Sequence, residues 1–247
     1  MKHIKEYNKY VDPFDEDDWN EVEPDGKFLT WLKIRYPDEG KWKNIRNIGC
    51  GNQNLTDLIG IEKLINLKYL YCRYNQLIEL DVSKNIKLEY LYCSSNQLRK
   101  LNLKINLKHL YCHHNHLTKL DLSKNINLIY LNCQYNQLTK LDVTKNIKLD
   151  KLYCYNNELT KLDITKNIKL YYLSCTHNQL TELDVSKNIN LEELFCYCNQ
   201  LTELDVTKNI NLTELNCSNN KLTQLDLTKN INLKDIYYEI HKRIGTE

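Results

Sequence analysis

The chain has 247 residues, with 34 basic and 32 acidic side chains for a net charge of +2. So balanced a charge excludes a strongly basic nucleic-acid binder, and 6 Gly with 3 Pro leave little material for flexible linkers. The opening MKHIKEYNKYVDPFD has no apolar signal core and no later run approaches a membrane span. The expectation is therefore a cytoplasmic protein without a membrane partner, with export by a route lacking a cleaved signal left open.

Residues 1–44 carry no repeat. Asp15, Glu16, Asp17, Asp18, Glu21, Glu23 and Asp25 form an acidic run. It misses the calcium-loop pattern because no Gly stands at the sixth loop position before a final Glu. Asp25-Gly26 then opens a short helix to about Arg35, with Phe28, Trp31, Leu32 and Arg35 on one face and Pro37 as its stop. With Trp42, this segment reads as a cap over the first repeat, because solenoid ends otherwise expose core and strand edge. An acidic arm for a partner is the alternative.

From Ile45 to Asn232 one unit recurs nine times, with lengths of 22, 21, 19 and then 21 residues six times over. The shared pattern is L-x-x-L-x-C-x-x-N-x-L-T-x-L-D-[VIL]-[ST]-K-N-I-x, as in LKYLYCRYNQLIELDVSKNIK at Leu67–Lys87. That spacing is a leucine-rich repeat with Cys in an apolar strand position. It predicts an α/β repeat solenoid, right-handed, with a parallel concave sheet, an irregular convex side and a helical cap at each end. The phrases LTKLDVTKNIKLDKLYCYNNELTKLDITKN and LTELDVSKNINLEELFCYCNQLTELDVTKN resemble the bacterial internalin family, in particular its 21-residue repeats that carry a cysteine ladder. The resemblance covers 45–232 and implies the fold; by analogy it also implies contact with a host protein.

Each copy predicts a strand such as Tyr69–Arg73, with Leu and Cys facing inward and the residues between them facing outward. Cys50, Cys72, Cys93, Cys112, Cys133, Cys154, Cys175, Cys196 and Cys217 fill one column. In-register neighbours about 4.8 Å apart rarely offer disulfide geometry, so these read as a reduced core ladder. An Asn column (Asn75, Asn96, Asn115, Asn136, Asn157, Asn178, Asn199, Asn220) follows and is expected to satisfy backbone groups at the turn; the first copy has Gln53 there. On the convex side, an Asp column and a Lys column are expected to form solvated ion pairs. The short copy Leu88–Asn106 should pinch that side. Residues 233–247, with Ile236, Ile240, Ile244 and Gly245, predict a C-terminal capping helix.

The outward strand positions collect Tyr69, Tyr71, Arg73, Tyr74, Tyr90, Tyr92, His109, Tyr111, His113, Tyr130, Tyr135, Tyr153, Tyr155, Tyr172, Phe195 and Tyr197. These include 12 of the 18 tyrosines, which core packing does not require. Stacked aromatics reinforce neighbouring strands, so a structural ladder is one reading. A contiguous aromatic patch is also the composition of an interface centre, and this is the leading one. Lys68, Arg73, His109 and His113 give the first half a basic character, while Glu192, Glu193 and Glu214 make the last half acidic. The expected function is non-enzymatic binding of a protein or peptide by a monomer, with glycan binding on the same tyrosines as the alternative.

No cofactor, nucleic acid or metal is expected. Cys112-His113-His114-Asn115-His116 has metal-type residues, but Cys112 and His113 face opposite sides of a strand, so solvated polar side chains are the better reading. A Cys198–His177 thiolate–imidazole pair is conceivable between neighbouring copies but lacks an orienting partner or oxyanion hole. No G-x-S-x-G, H-E-x-x-H or Gly-rich phosphate loop occurs.

Overall fold

The computed structural model describes residues 26–240. The acidic run before Gly26, with Ile244 and Gly245 at the other end, lies outside them.

The repeats wind into a solenoid whose concave wall is one parallel sheet of ten short strands. In chain order these are β1 (Asn47–Gly49), β2 (Tyr69–Tyr71), β4 (Tyr90–Tyr92), β6 (His109–Tyr111), β7 (Tyr130–Asn132), β8 (Lys151–Tyr153), β9 (Tyr172–Ser174), β10 (Glu193–Phe195), β11 (Glu214–Asn216) and β12 (Asp235–Tyr237). On the convex side β3 (Glu79–Asp81) pairs with β5 (Lys100–Asn102). Every strand of the large sheet pairs with its counterpart one copy away, Leu on Leu from β2 to β11, as in Leu152↔Leu173 and Leu173↔Leu194, with Ile48 and Ile236 in that position at the two ends. The convex pair coincides with the 19-residue copy, where the shortened return path draws two convex segments together and Asn102 Nδ2 donates to Asp81 Oδ2 at 3.1 Å.

One continuous core runs through the stack, from Phe28 to Leu222. The strand Leu and Cys side chains are fully buried in every copy from β2 to β11, as period-two alternation requires. The expected N-terminal helix forms as α1 (Phe28–Arg35). Phe28, Trp31 and Leu32 are buried against the first copy, while Arg35, expected on the same face, is exposed. Gln53 takes the place of the ladder Asn there because its longer side chain reaches α1: its Oε1 accepts from Trp31 Nε1 at 3.1 Å.

The other end differs from expectation. Residues 235–237 form β12, paired with β11, and no helix occurs in 233–240. Leu233 and Ile236 keep the repeat spacing, and the β11 edge offers unpaired backbone groups, so sheet pairing outweighs the four-residue Ile period.

Two buried asparagine columns tie the copies together. Asn157 Nδ2 donates to the carbonyls of Cys133 and Cys154, both at 3.1 Å, and its Oδ1 accepts from Leu138 N at 3.0 Å. One amide thus closes three backbone groups across two copies, and each Asn of the expected column repeats the pattern. The second column was not legible as such. Asn85, Asn125, Asn146, Asn167, Asn188 and Asn209, the Asn of Lys-Asn-Ile, are fully buried. Asn167 Nδ2, for example, donates to Val143 O and Asn146 O at 3.0 and 2.9 Å.

The convex Asp–Lys ion pairs do not form. Asp142 Oδ1 instead accepts from Thr144 N at 2.9 Å and Thr144 Oγ1 at 2.6 Å, closing an Asx turn that recurs down the column. These hydrogen bonds hold the Asp142 carboxyl below the usual carboxylate range.

Asn157→Ala should therefore cost about 3 kcal/mol in urea-induced unfolding, since it strands three buried backbone groups. Asn190→Ala, which removes one exposed bond to Ile168 O, should cost less than about 1 kcal/mol.

Candidate binding face

The concave wall carries two columns of outward side chains, at the first and third strand positions. In the first, Tyr69 stacks on Tyr90 with ring centroids 4.4 Å apart, and Tyr90 on His109 at 4.6 Å. In the third, Tyr71 stacks on Tyr92 at 4.5 Å and Tyr92 on Tyr111 at 4.4 Å. The stack then changes column. Asn132 takes the third position of β7, and Tyr111 instead packs on Tyr130 at 4.5 Å. Tyr130 passes to Tyr153 at 5.4 Å, Tyr153 to Tyr172 at 4.4 Å and Tyr172 to Phe195 at 5.6 Å. Seven rings on seven strands thus make one continuous run of ring contacts from Tyr71 to Phe195, stacked at four junctions and tilted at Tyr130–Tyr153 and Tyr172–Phe195. Strand spacing of about 4.8 Å suits offset ring stacking, which stabilises each pair by about 0.5–1.5 kcal/mol beyond burial.

Stacking changes what the face presents. Tyr71, Tyr111, Tyr130 and Tyr172 are each less than one-tenth exposed. Their ring faces cover one another, and burial pushes the Tyr130 and Tyr172 hydroxyls far above the ordinary tyrosine range. Six of the expected site residues lie elsewhere. Arg73, His113, Tyr155 and Tyr197 follow the ladder Cys, and Tyr74 and Tyr135 sit one residue further on with φ of 54° and 49°. These six line the rim where the chain leaves the sheet, so the tyrosines on the sheet face number eight rather than twelve. Tyr74 is 58% exposed and Tyr135 43%. Tyr135 stacks on His114 at 4.3 Å, and the Arg73 guanidinium lies 5.7 Å from the Tyr74 ring.

The basic half is also weaker than its composition. Lys68 and Lys108 both reach Glu89, at 3.8 and 3.0 Å. Burial lowers the His109 and His113 pKa values, His113 to about 4 with His114 and Arg73 adding to the shift. Both imidazoles are neutral at pH 7. The acidic half gains a further carboxylate. Glu193, Glu214 and Asp235 stand in register on β10, β11 and β12, and burial raises the Glu193 and Glu214 carboxyls. Lys151 was not among the expected residues. It occupies the first position of β8, with Nζ 5.0 Å from the Tyr171 ring and 6.0 Å from that of Tyr172. Column sorting alone would have found it, since it shares the column of Tyr130 and Tyr172.

The nine ladder cysteines are buried free thiols, and burial raises their pKa values, Cys133 and Cys175 to about 12. Cys198 is half-buried at a turn with φ of 54°. Among the described residues no group of three or more His, Cys, Asp or Glu side chains is placed to hold a metal ion.

The combination of a 21-residue solenoid and a buried cysteine column has a counterpart among solved structures. The functional domain of InlJ from Listeria monocytogenes, which includes a cysteine ladder, is 44% identical with a TM-score of 0.77, over 80% of this chain and 45% of that one. The chain is an internalin-like leucine-rich-repeat protein. A leucine-rich-repeat protein of Leptospira interrogans is 27% identical with a TM-score of 0.64, covering 81% of this chain and 62% of that one. YopM from Yersinia enterocolitica is also 27% identical with a TM-score of 0.64, over 80% and 47%. This internalin-like chain thus spans less than half the length of the InlJ structure. No family model and no curated protein matches it.

Two measurements follow. A thiol reagent should label one cysteine per native chain, Cys198, and all ten after unfolding. For His113, the folded pKa lies below the unfolded one, so stability falls as the pH drops from about 6.5 toward 4. Between pH 7 and pH 5 the wild type should lose up to about 2 kcal/mol more than His113→Gln in denaturant titrations.

Proposed function

We propose that the chain is a non-enzymatic scaffold that binds a protein or extended peptide on its concave face. The observation that carries this reading is the continuous run of ring contacts from Tyr71 to Phe195. Rings locked against one another have little side-chain entropy left to lose, so they form a preorganised contact surface. With ring faces turned to their neighbours, the stack turns edges toward a partner. Its end is flanked by Lys151 and the carboxylates of Glu193, Glu214 and Asp235. Edges and charges suit the amides and side chains of a peptide.

Glycan binding is the second reading, favoured by Tyr74 and Tyr135, whose exposure at the turn leaves room for sugar stacking. Sugars stack on ring faces, and most faces of the sheet tyrosines are taken.

A displayed peptide library and a glycan array distinguish the two. Peptides selected by the wild type should lose at least about tenfold in affinity against Tyr153→Ser/Glu193→Lys, with the strand signal in circular dichroism unchanged. Glycans retained by the wild type and lost by Tyr74→Ser/Tyr135→Ser would favour the second reading. Selection of neither would reduce the tyrosines to sheet reinforcement.

A further inference from the structure

A second surface lies where the chain re-enters the sheet. Ile126, Ile147, Ile168, Ile189, Ile210 and Ile231, the Ile of Lys-Asn-Ile in six consecutive copies, are 52% to 87% exposed. At about 4.8 Å per strand they run in single file for about 24 Å. Core packing does not need them, because the Asn before each and the Leu two residues after it are the buried members of the segment. In the short copy the corresponding Ile105 turns inward and is 5% exposed, which separates this row from Ile86.

Lysines border the row. Lys124, Lys145, Lys166, Lys187, Lys208 and Lys229 stand two residues before each Ile, and Lys148 and Lys169 one residue after. All are exposed, and none has an ion-pair partner within 4.0 Å among the described residues. The Asp column accepts hydrogen bonds from the following Ser or Thr in Asx turns instead of forming ion pairs with these lysines, and its carboxylates stay charged nearby.

We propose that this isoleucine–lysine rim seats the protein on an anionic lipid bilayer, as a peripheral contact. A file of aliphatic groups with a full lysine row on one side, and Lys148 and Lys169 on the other, matches an interface of acyl chains beneath anionic headgroups. Nucleic acid offers the anions but nothing aliphatic to cover isoleucine. A second copy offers the isoleucines, but rim against rim brings lysines against lysines at part of the contact, which is repulsive, and offers them no anionic headgroup. The expectation of no membrane partner rested on the absence of a spanning segment, and a peripheral contact needs none. The nearby Asp column limits the field, so the contact weakens steeply with salt.

The test is sedimentation of the full chain with phosphatidylcholine vesicles, with and without about one-third phosphatidylserine. Wild type should bind the anionic vesicles at low salt and not the neutral ones. Ile147→Ser/Ile168→Ser/Ile189→Ser and Lys145→Gln/Lys166→Gln/Lys187→Gln should each weaken binding at least about tenfold. Both change exposed side chains, so their circular dichroism and unfolding midpoints should match the wild type. Tyr153→Ser/Glu193→Lys, on the other face, should bind vesicles as the wild type does; a loss there would overturn the rim assignment. So would no binding to anionic vesicles, or binding untouched by the isoleucine changes. Light scattering that shows a dimer abolished by the isoleucine changes would overturn it in favour of a second copy.

Discussion

Everything in this solenoid depends on a backbone problem that no copy can solve alone. Three-residue strands joined by tight turns leave many buried N–H and C=O groups without a partner inside the same copy. Asparagine is the residue that fits: its amide donates twice and accepts once over a reach of one turn. Asn157 does this between Cys133, Cys154 and Leu138, and Asn167 adds donors to Val143 and Asn146 on the opposite side. The two columns fix register at both ends of each turn, leaving the cysteines to fill the space between. A small, polarizable side chain at that position lets neighbouring copies approach to strand distance without voids.

Strict register then organises both surfaces. On the concave side it spaces aromatic rings at the separation offset stacking prefers, so tyrosines become a rigid wall rather than independent side chains. The wall follows whichever column holds a ring, which is why it crosses from Tyr111 to Tyr130 where Asn132 interrupts the third position. On the opposite rim the same register lines up isoleucines and lysines. The two surfaces differ in kind. One is stacked and ends in Glu193, Glu214 and Asp235; the other is open, aliphatic and cationic.

Much of this was legible in the residues. The 21-residue period, the inward Leu and Cys and the first asparagine column follow from spacing and alternation, which are local properties. A tyrosine at an outward strand position was equally readable. Its accessibility was not, because a ring's exposure depends on what stands in the neighbouring copy. His109 and His113 read as basic and are neutral because burial disfavours their charged forms. Lys68 read as part of a basic half, yet it reaches Glu89, as does Lys108.

The sequence by itself therefore determined the solenoid, its repeat length, its core columns and its aromatic concave face. Each of these is encoded within one copy and repeated. Only the tertiary structure decided which polar groups were consumed. It buried the Asn of Lys-Asn-Ile, turned its Asp column into Asx turns and left its lysines unpaired beside exposed isoleucine. It also continued the sheet through Asp235–Tyr237, where a four-residue period had suggested a helix. Those outcomes are set by contacts between copies about 20 residues apart, where the competition for hydrogen bonds and burial is settled across the stack rather than along the chain.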